Sequence, residues 1–253
     1  ITSMDDPKIY GPELHKLTFG EAIEQELLTD YQVVIVGVTD PQIQDLVDRR
    51  ELVSVKDAVT TDARTLAAHI GLAKATKDFN LARTISFHSR IKTAAHFAED
   101  HPKLLDWLPA THKPEGTTWT DTISGDMNTG KRRTLLEQLR QEEPRRHALL
   151  TNARCLTEGV DVPSLDGVAF IDPRSSQVDI IQAVGRAIRR SSNKKLGTVV
   201  LPVLLPAEAN HDEQLALSSF KPIWEILNAL KSHDSELSDE LDRFRTELGR
   251  TGR

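Results

Sequence analysis

The sequence predicts an α/β fold, a parallel β-sheet with helices on both faces. Short apolar runs rich in β-branched residues recur along the chain, and helix-period stretches separate them; that alternation is the pattern of a parallel sheet. The length of 253 residues suits one large α/β domain, or one domain with an appendage.

In order, residues 1–30 open "ITSMDDPKIYGPELHKLTF", with no initiator Met, and read as the end of something longer. The strands expected are "YQVVIVGV" (31–38), "RTISFH" (83–88), "TWTDTIS" (118–124), "HALLTN" (147–152), "GVAFID" (167–172) and "GTVVLPVLL" (197–205). Helices are expected at 62–78, 90–100, 131–142 and 176–190. Right-handed crossovers bring the loops after successive strands to one edge, where ligands bind. Pro202 and Pro206 mark a change, and 207–253 reads as two or three appended acidic helices. The domain organisation expected is a connection over 1–30, the α/β domain over 31–206 and a helical extension over 207–253. There are no internal repeats.

Hydrophobic residues make up 38% and charged residues 28%, an ordinary soluble composition. No apolar run approaches the ~18–20 residues that span a bilayer, and no signal peptide is visible, so no membrane partner and a cytoplasmic location are expected. The lone Cys155 excludes intrachain disulfides and Cys-based zinc sites. The nine histidines lack ligand spacing, and no protein-bound metal is expected. Net charge is −6, yet residues 81–200 hold 18 Lys and Arg against 14 Asp and Glu, while the remainder holds 14 against 24. The basic groups gather in the middle, as "KRR" (131–133), "RRH" (145–147) and "RAIRR" (186–190).

"SGDMNTGKRRTLL" (124–136) imitates a phosphate-binding loop through Gly125, Gly130 and Lys131. Such a loop needs a Ser or Thr after the Lys to bind Mg²⁺, and a buried apolar strand before it. Here Arg132 follows the Lys, and "TTWTDTIS" alternates and carries a charge. A stand-alone kinase or GTPase using Gly125–Lys131 therefore stays as a rival, as does a non-enzymatic module that docks a partner through the acidic C-terminal helices.

In "SQVDIIQAVGRAIRR" (176–190), a helical projection puts Ile181, Val184 and Ile188 on a core-facing stripe, with Ile180 and Ala187 beside them. Gln182, Gly185, Arg186 and Arg189 fall together on the opposite side. An internal Gly costs about 1 kcal/mol relative to Ala, which makes sense where something approaches the backbone. Two guanidiniums one turn apart form a clamp for phosphate oxygens.

This Q-x-x-G-R-x-x-R pattern resembles motif VI of superfamily 2 helicases. The resemblance implies that Arg186 and Arg189 act as arginine fingers on the γ-phosphate of ATP, with Gln182 and Gly185 beside the nucleotide. "LLTNARCLTEGVDVPSLDGVAFID" (149–172) looks like motif V; by that likeness Thr151 and Asn152 touch the nucleic-acid backbone while Gly159 and Asp161 serve the nucleotide. "RTISFHSRIKTAAHF" (83–97) resembles motif IV, delivering Ser89 and Arg90 to a helix start that favours a phosphate; His88 reads as a packing residue. Between these motifs, Lys131 and Arg132 are expected to meet the backbone of the bound strand.

The likeness covers roughly 20–205, most strongly 147–190. It points to the second, RecA-like lobe of a DEAD/DEAH-type helicase, nearest the bacterial type III restriction-like (ResIII) members. Its implied partners are nucleic acid, DNA favoured over RNA, and the first lobe of the same parent chain. That lobe, absent here, would hold ATP and Mg²⁺, so this chain alone is expected not to hydrolyse ATP. Both arginines are expected to face outward at the edge where strands 147–152 and 83–88 end.

Overall fold

A computed structural model describes residues 7–12, 17–39, 52–55, 59–153, 165–172, 177–191, 196–205, 221–234 and 237. The elements are α1 (Pro7–Tyr10), α2 (Phe19–Glu24), β1 (Tyr31–Thr39), β2 (Leu52–Val55), β3 (Val59–Asp62), α3 (Ala63–Asp78), β4 (Arg83–Phe87), α4 (Ile91–Trp107), β5 (Thr117–Ser124), α5 (Thr129–Arg140), β6 (Arg146–Ala153), β7 (Gly167–Phe170), α6 (Gln177–Ala187), β8 (Gly197–Leu205) and α7 (Lys221–Lys231). Six strands form one sheet in the order β1-β8-β7-β4-β6-β5, and every pairing in it is parallel. The predicted α/β class with a parallel sheet holds. β2 and β3 form a separate antiparallel pair that the sequence reading did not anticipate.

The central strands are buried on both faces, as covered parallel strands are. Along β8, Val199, Leu201 and Val203 join one core with α6 and α7, while Val200 and Leu204 join the cores under α3 and α4. β6 splits likewise, with Ala148 and Leu150 on one side and Leu149 on the other. β5 lies at the sheet margin, and Thr117–Trp119 to Thr122 are exposed or half-buried there.

Local chemistry sets the helix limits. Asp62 caps α3 by accepting from Thr65 N, and Gly71 lets that helix settle on β8, since a Cβ there would lie 2.7 Å from Pro202 Cβ. α4 continues beyond the expected end at 100, through Pro102 to Trp107. Proline has no N–H to give the carbonyl four residues back; Thr120 Oγ1 on β5 donates to that oxygen, Ala98 O, at 2.7 Å.

The two ends of the described chain meet on the lobe. Thr18 and Glu21 make a capping box at α2, Phe19 N donates to His233 O at 2.9 Å, and Tyr31 Oη donates to Asp234 Oδ2 at 2.7 Å. Of the helices expected in 207–253, α7 is described; it packs on α6 and buries Ile223, Ile226, Leu227 and Leu230 in the sheet's own core. The 206/207 boundary falls outside the described residues.

Candidate functional site

Parallel register brings the strand ends level: Phe87 lies beside Asn152 and Phe170, and Ser124 beside Ala153. At this carboxyl edge the connections diverge. β4 leaves through α4, which covers β5 and β6, whereas β7 leaves through α6, which covers β7 and β8 on the opposite face. The crevice between β4 and β7 is therefore a topological switch point, the usual ligand position in such sheets.

Motif IV sits there. His88 N donates to Asn152 O at 2.9 Å, and Phe87 O accepts from Ile171 N and Asp172 N at 3.2 and 3.3 Å. Ser89 Oγ donates to Asp172 Oδ2 across the crevice. Arg90 is exposed and occupies the N-cap of α4, but makes no side-chain cap bond. The first N–H groups of this 17-residue helix thus open towards the crevice.

Beneath it lies a histidine cluster. His69 stacks on Phe97 at 3.7 Å between ring centroids, His88 tilts against the same ring at 5.0 Å, and His69 Nδ1 meets His101 Nδ1 at 3.0 Å. That bond needs one ring donating and the other accepting, so the accepting ring is neutral. Burial lowers the pKa of His88 to about 4, against an opposing pull from Asp172, and lowers that of His101 to about 4. His69 is lowered by burial first and by His101 and His88 second. His88 is a packing residue, as its sequence context implied.

The remaining predicted strand contacts share this edge and differ in access. Lys131 is exposed and Arg132 half-buried in the first turn of α5. Thr151 is completely buried, with its hydroxyl on Ala94 O at 2.8 Å, and Asn152 is 1% exposed. Thr151 as placed packs β6 against α4 and offers no surface. The loop that imitates a triphosphate site is a plain helix entry: Asn128 Oδ1 accepts from Lys131 N at 2.8 Å, taking the N–H an anion would need. Its strand β5 is the half-exposed margin of the sheet, which argues against the kinase or GTPase rival.

The motif VI arrangement departs from expectation in two respects. α6 runs back from the carboxyl edge, and its end meets the start of β1: Leu28 bridges Arg189, and Thr29 N donates to Ile188 O at 2.8 Å. The arginines therefore lie towards the amino edge, not where β4 and β6 end, because a crossover helix must reverse the strand direction. Exposure also divides them. Arg189 is exposed, whereas Arg186, next on the helical wheel to buried Ala183, is only 9% exposed. Ile180, Ala183, Val184, Ala187 and Ile188 form the buried stripe, with Ile181 only half-buried. Gln182 is half-buried, and a Cβ added at Gly185 would meet nothing within 4 Å. Nothing among the described residues crowds that glycine.

Gly159 and Asp161 of motif V, together with Cys155, lie outside the described residues. Asp172 was missed as a site residue; only its place at the end of an apolar strand signalled it. Among the described residues no His, Cys, Asp or Glu group could hold a metal ion, and no helix is long and apolar enough to cross a membrane.

Residues 74–191 match the helicase conserved C-terminal domain. The probable helicase A859L of African swine fever virus (isolate Pig/Kenya/KEN-50/1950) is 35% identical over 109 residues, 43% of this chain and 12% of the viral protein. The ATP-dependent type ISP restriction-modification enzyme LlaBIII, solved bound to DNA, is similar over 97% of this chain and 17% of its own, with 26% identity and a TM-score of 0.79. A fragment of a putative HsdR subunit of a type I restriction enzyme from Vibrio vulnificus YJ016 shares the fold over 82% of this chain and 43% of its own, at 18% identity and a TM-score of 0.53. The chain spans a small part of the length of the viral relative and of the type ISP enzyme.

Proposed function

We propose that this chain, whose residues 74–191 match the helicase conserved C-terminal domain, is the C-terminal, RecA-like lobe of a superfamily 2 helicase: the second motor half of an ATP-driven translocase or helicase, working on nucleic acid with an N-terminal lobe of the same parent protein. The observation that supports the reading is the separation of two sets of exposed cations at opposite edges of one sheet. The exposed cations Arg90 and Lys131 stand at helix starts on the carboxyl edge, and exposed Arg189 follows the end of α6 towards the amino edge.

At the carboxyl edge Arg90, Lys131, Arg132, Ser89 and the open start of α4 bind backbone phosphates. Such contacts position a strand without reading its sequence. Thr151 and Asn152 act from within, fixing β6 beneath that surface.

At the other site the residues fit a bulky anion. Open space at Gly185 admits close approach, and the Arg189 guanidinium lies in solvent reach. ATP, with Mg²⁺ held by the other lobe, supplies the free energy of phosphoryl transfer. Arg189 neutralises charge on the transferred group, Gln182 and Gly185 border it, and Arg186, anchored in this lobe, supports the same surface. Gly159 and Asp161 complete that border by resemblance. DNA is favoured over RNA, in keeping with a restriction-enzyme neighbour solved on DNA.

The test joins this chain to a helicase N-terminal lobe and measures ATP hydrolysis with single-stranded DNA, duplex DNA and RNA, beside Arg189→Ala. Strand-stimulated turnover abolished by the substitution supports the reading. Turnover by the isolated chain, or a substituted protein as active as its parent, defeats it.

A further inference from the structure

The carboxyl edge holds more than a phosphate track. A cavity of about 360 Å³ opens beside the switch-point crevice, within the ~300–1,000 Å³ range of small-ligand sites. Phe97, Phe170, Pro202 and Pro222 give it flat apolar walls, while His88, Thr93 and Asp172 on one side and Asp62, Arg64 and Thr65 at the start of α3 supply polar groups.

Two of those polar groups have capacity to spare. His88 is 4% exposed; its Nε2 pairs with Ser86 Oγ at 3.0 Å, and among the described residues its Nδ1 makes no hydrogen bond. Asp172 engages Ser89 through Oδ2, which leaves Oδ1 without a hydrogen bond among the described residues. A carboxylate repels phosphate, so whatever sits beside Asp172 presents hydrogen-bond donors. Arg90 and the uncapped start of α4 adjoin Thr93 at the same mouth, and they do attract phosphate.

We propose that this cavity receives one nucleobase turned out of the bound strand. The base lies between the apolar walls with its donor edge towards Asp172 and His88, while its phosphate rests on Arg90 and the α4 start. The inference depends on the strand following the carboxyl edge, as proposed above. It adds a base-dependent contribution to a surface otherwise expected to feel only the backbone.

The experiment uses the 253-residue chain at low salt with two single-stranded oligodeoxynucleotides of equal length. One carries natural bases with a single 2-aminopurine, and the other is abasic throughout. Stacking contributes through each captured base, so the base-bearing strand should bind roughly 5- to 100-fold more tightly, with 2-aminopurine fluorescence quenched. Thr93→Trp fills the cavity from an exposed position and should bring the affinity for the base-bearing strand down to that for the abasic strand and remove the quenching. Equal affinity for the two strands, or quenching untouched by Thr93→Trp, overturns the base pocket and leaves the phosphate track standing. Binding of neither strand overturns the track itself, and the pocket with it.

Discussion

The two edges of the sheet use opposite ends of the same helices. α3, α4, α5 and α6 all begin at the carboxyl edge, where helix dipoles favour anions; Asp62 and Asn128 cap α3 and α5, while α4 has no side-chain cap. They end towards the amino edge, where exposed carbonyls carry the opposite sign. The proposed anion site there depends wholly on side chains, above all Arg189, since the neighbouring Arg190 pairs with Glu26 at 3.1 Å. On the proposed reading, the carboxyl edge is thus a redundant site made of backbone and several cations. The amino edge is a brittle one, hanging on few guanidiniums.

That contrast ranks the expected effects. Arg189→Ala, in protein joined to its first lobe, should cut steady-state ATP hydrolysis by ~10³ or more, the usual weight of an arginine finger. Strand affinity by fluorescence anisotropy should stay within twofold; a loss shared equally by both assays would break the separation.

Acid should undermine the carboxyl edge next. The folded pKa values of His69, His88 and His101 all lie below the ordinary 6.5, so the unfolded chain takes up protons first. Stability is full above pH 6.5 and falls as pH drops towards 4. The loss reaches on the order of 3 kcal/mol for each of His88 and His101. Urea denaturation between pH 7.5 and 4.5 measures it, and a flat profile would contradict the neutral histidine pair.

Removing one cation from the redundant edge should do less. Arg90→Ala or Lys131→Ala should each weaken binding to single strands and reduce the slope of log affinity against log salt by roughly 0.7. Strand-independent ATP hydrolysis should not change. The smallest effect carries a diagnostic sign. Gly185→Ala meets no atom of the described residues within 4 Å, so it should stabilise the isolated chain by about 1 kcal/mol through helix propensity. The same change should lower ATP hydrolysis once the first lobe is present; a rise in both would show that nothing approaches that backbone.

Much of this was legible in the sequence. Strand 197–205 appears with its predicted limits, because a fully buried strand is one unbroken apolar run. α4 outran its predicted end because the partner that tolerates Pro102, Thr120, lies on another strand. The capping box at Thr18 and Glu21 was a readable signal passed over. β2 and β3 lack a strong turn signature, and pairing of such short strands is settled by what they pack against. The motif VI residues were recognised, yet their edge was misplaced, since periodicity gives a helix face and not the direction in which the helix crosses a sheet. The bond between Ser89 and Asp172 joins residues 83 positions apart, a pairing that no local pattern announces.

The pairing of β1 with β8 joins Tyr31 to Gly197 and Thr39 to Leu205. During synthesis the first strand must therefore wait, its apolar side chains unmatched, until almost the whole sheet has left the ribosome. Segments made in between can assemble around β4, β6 and β7 while "YQVVIVGVT" stays without its neighbour. Chaperone dependence or aggregation of nascent chains should accordingly track the delay between those two strands, and a circular permutant that makes them successive should fold with less help.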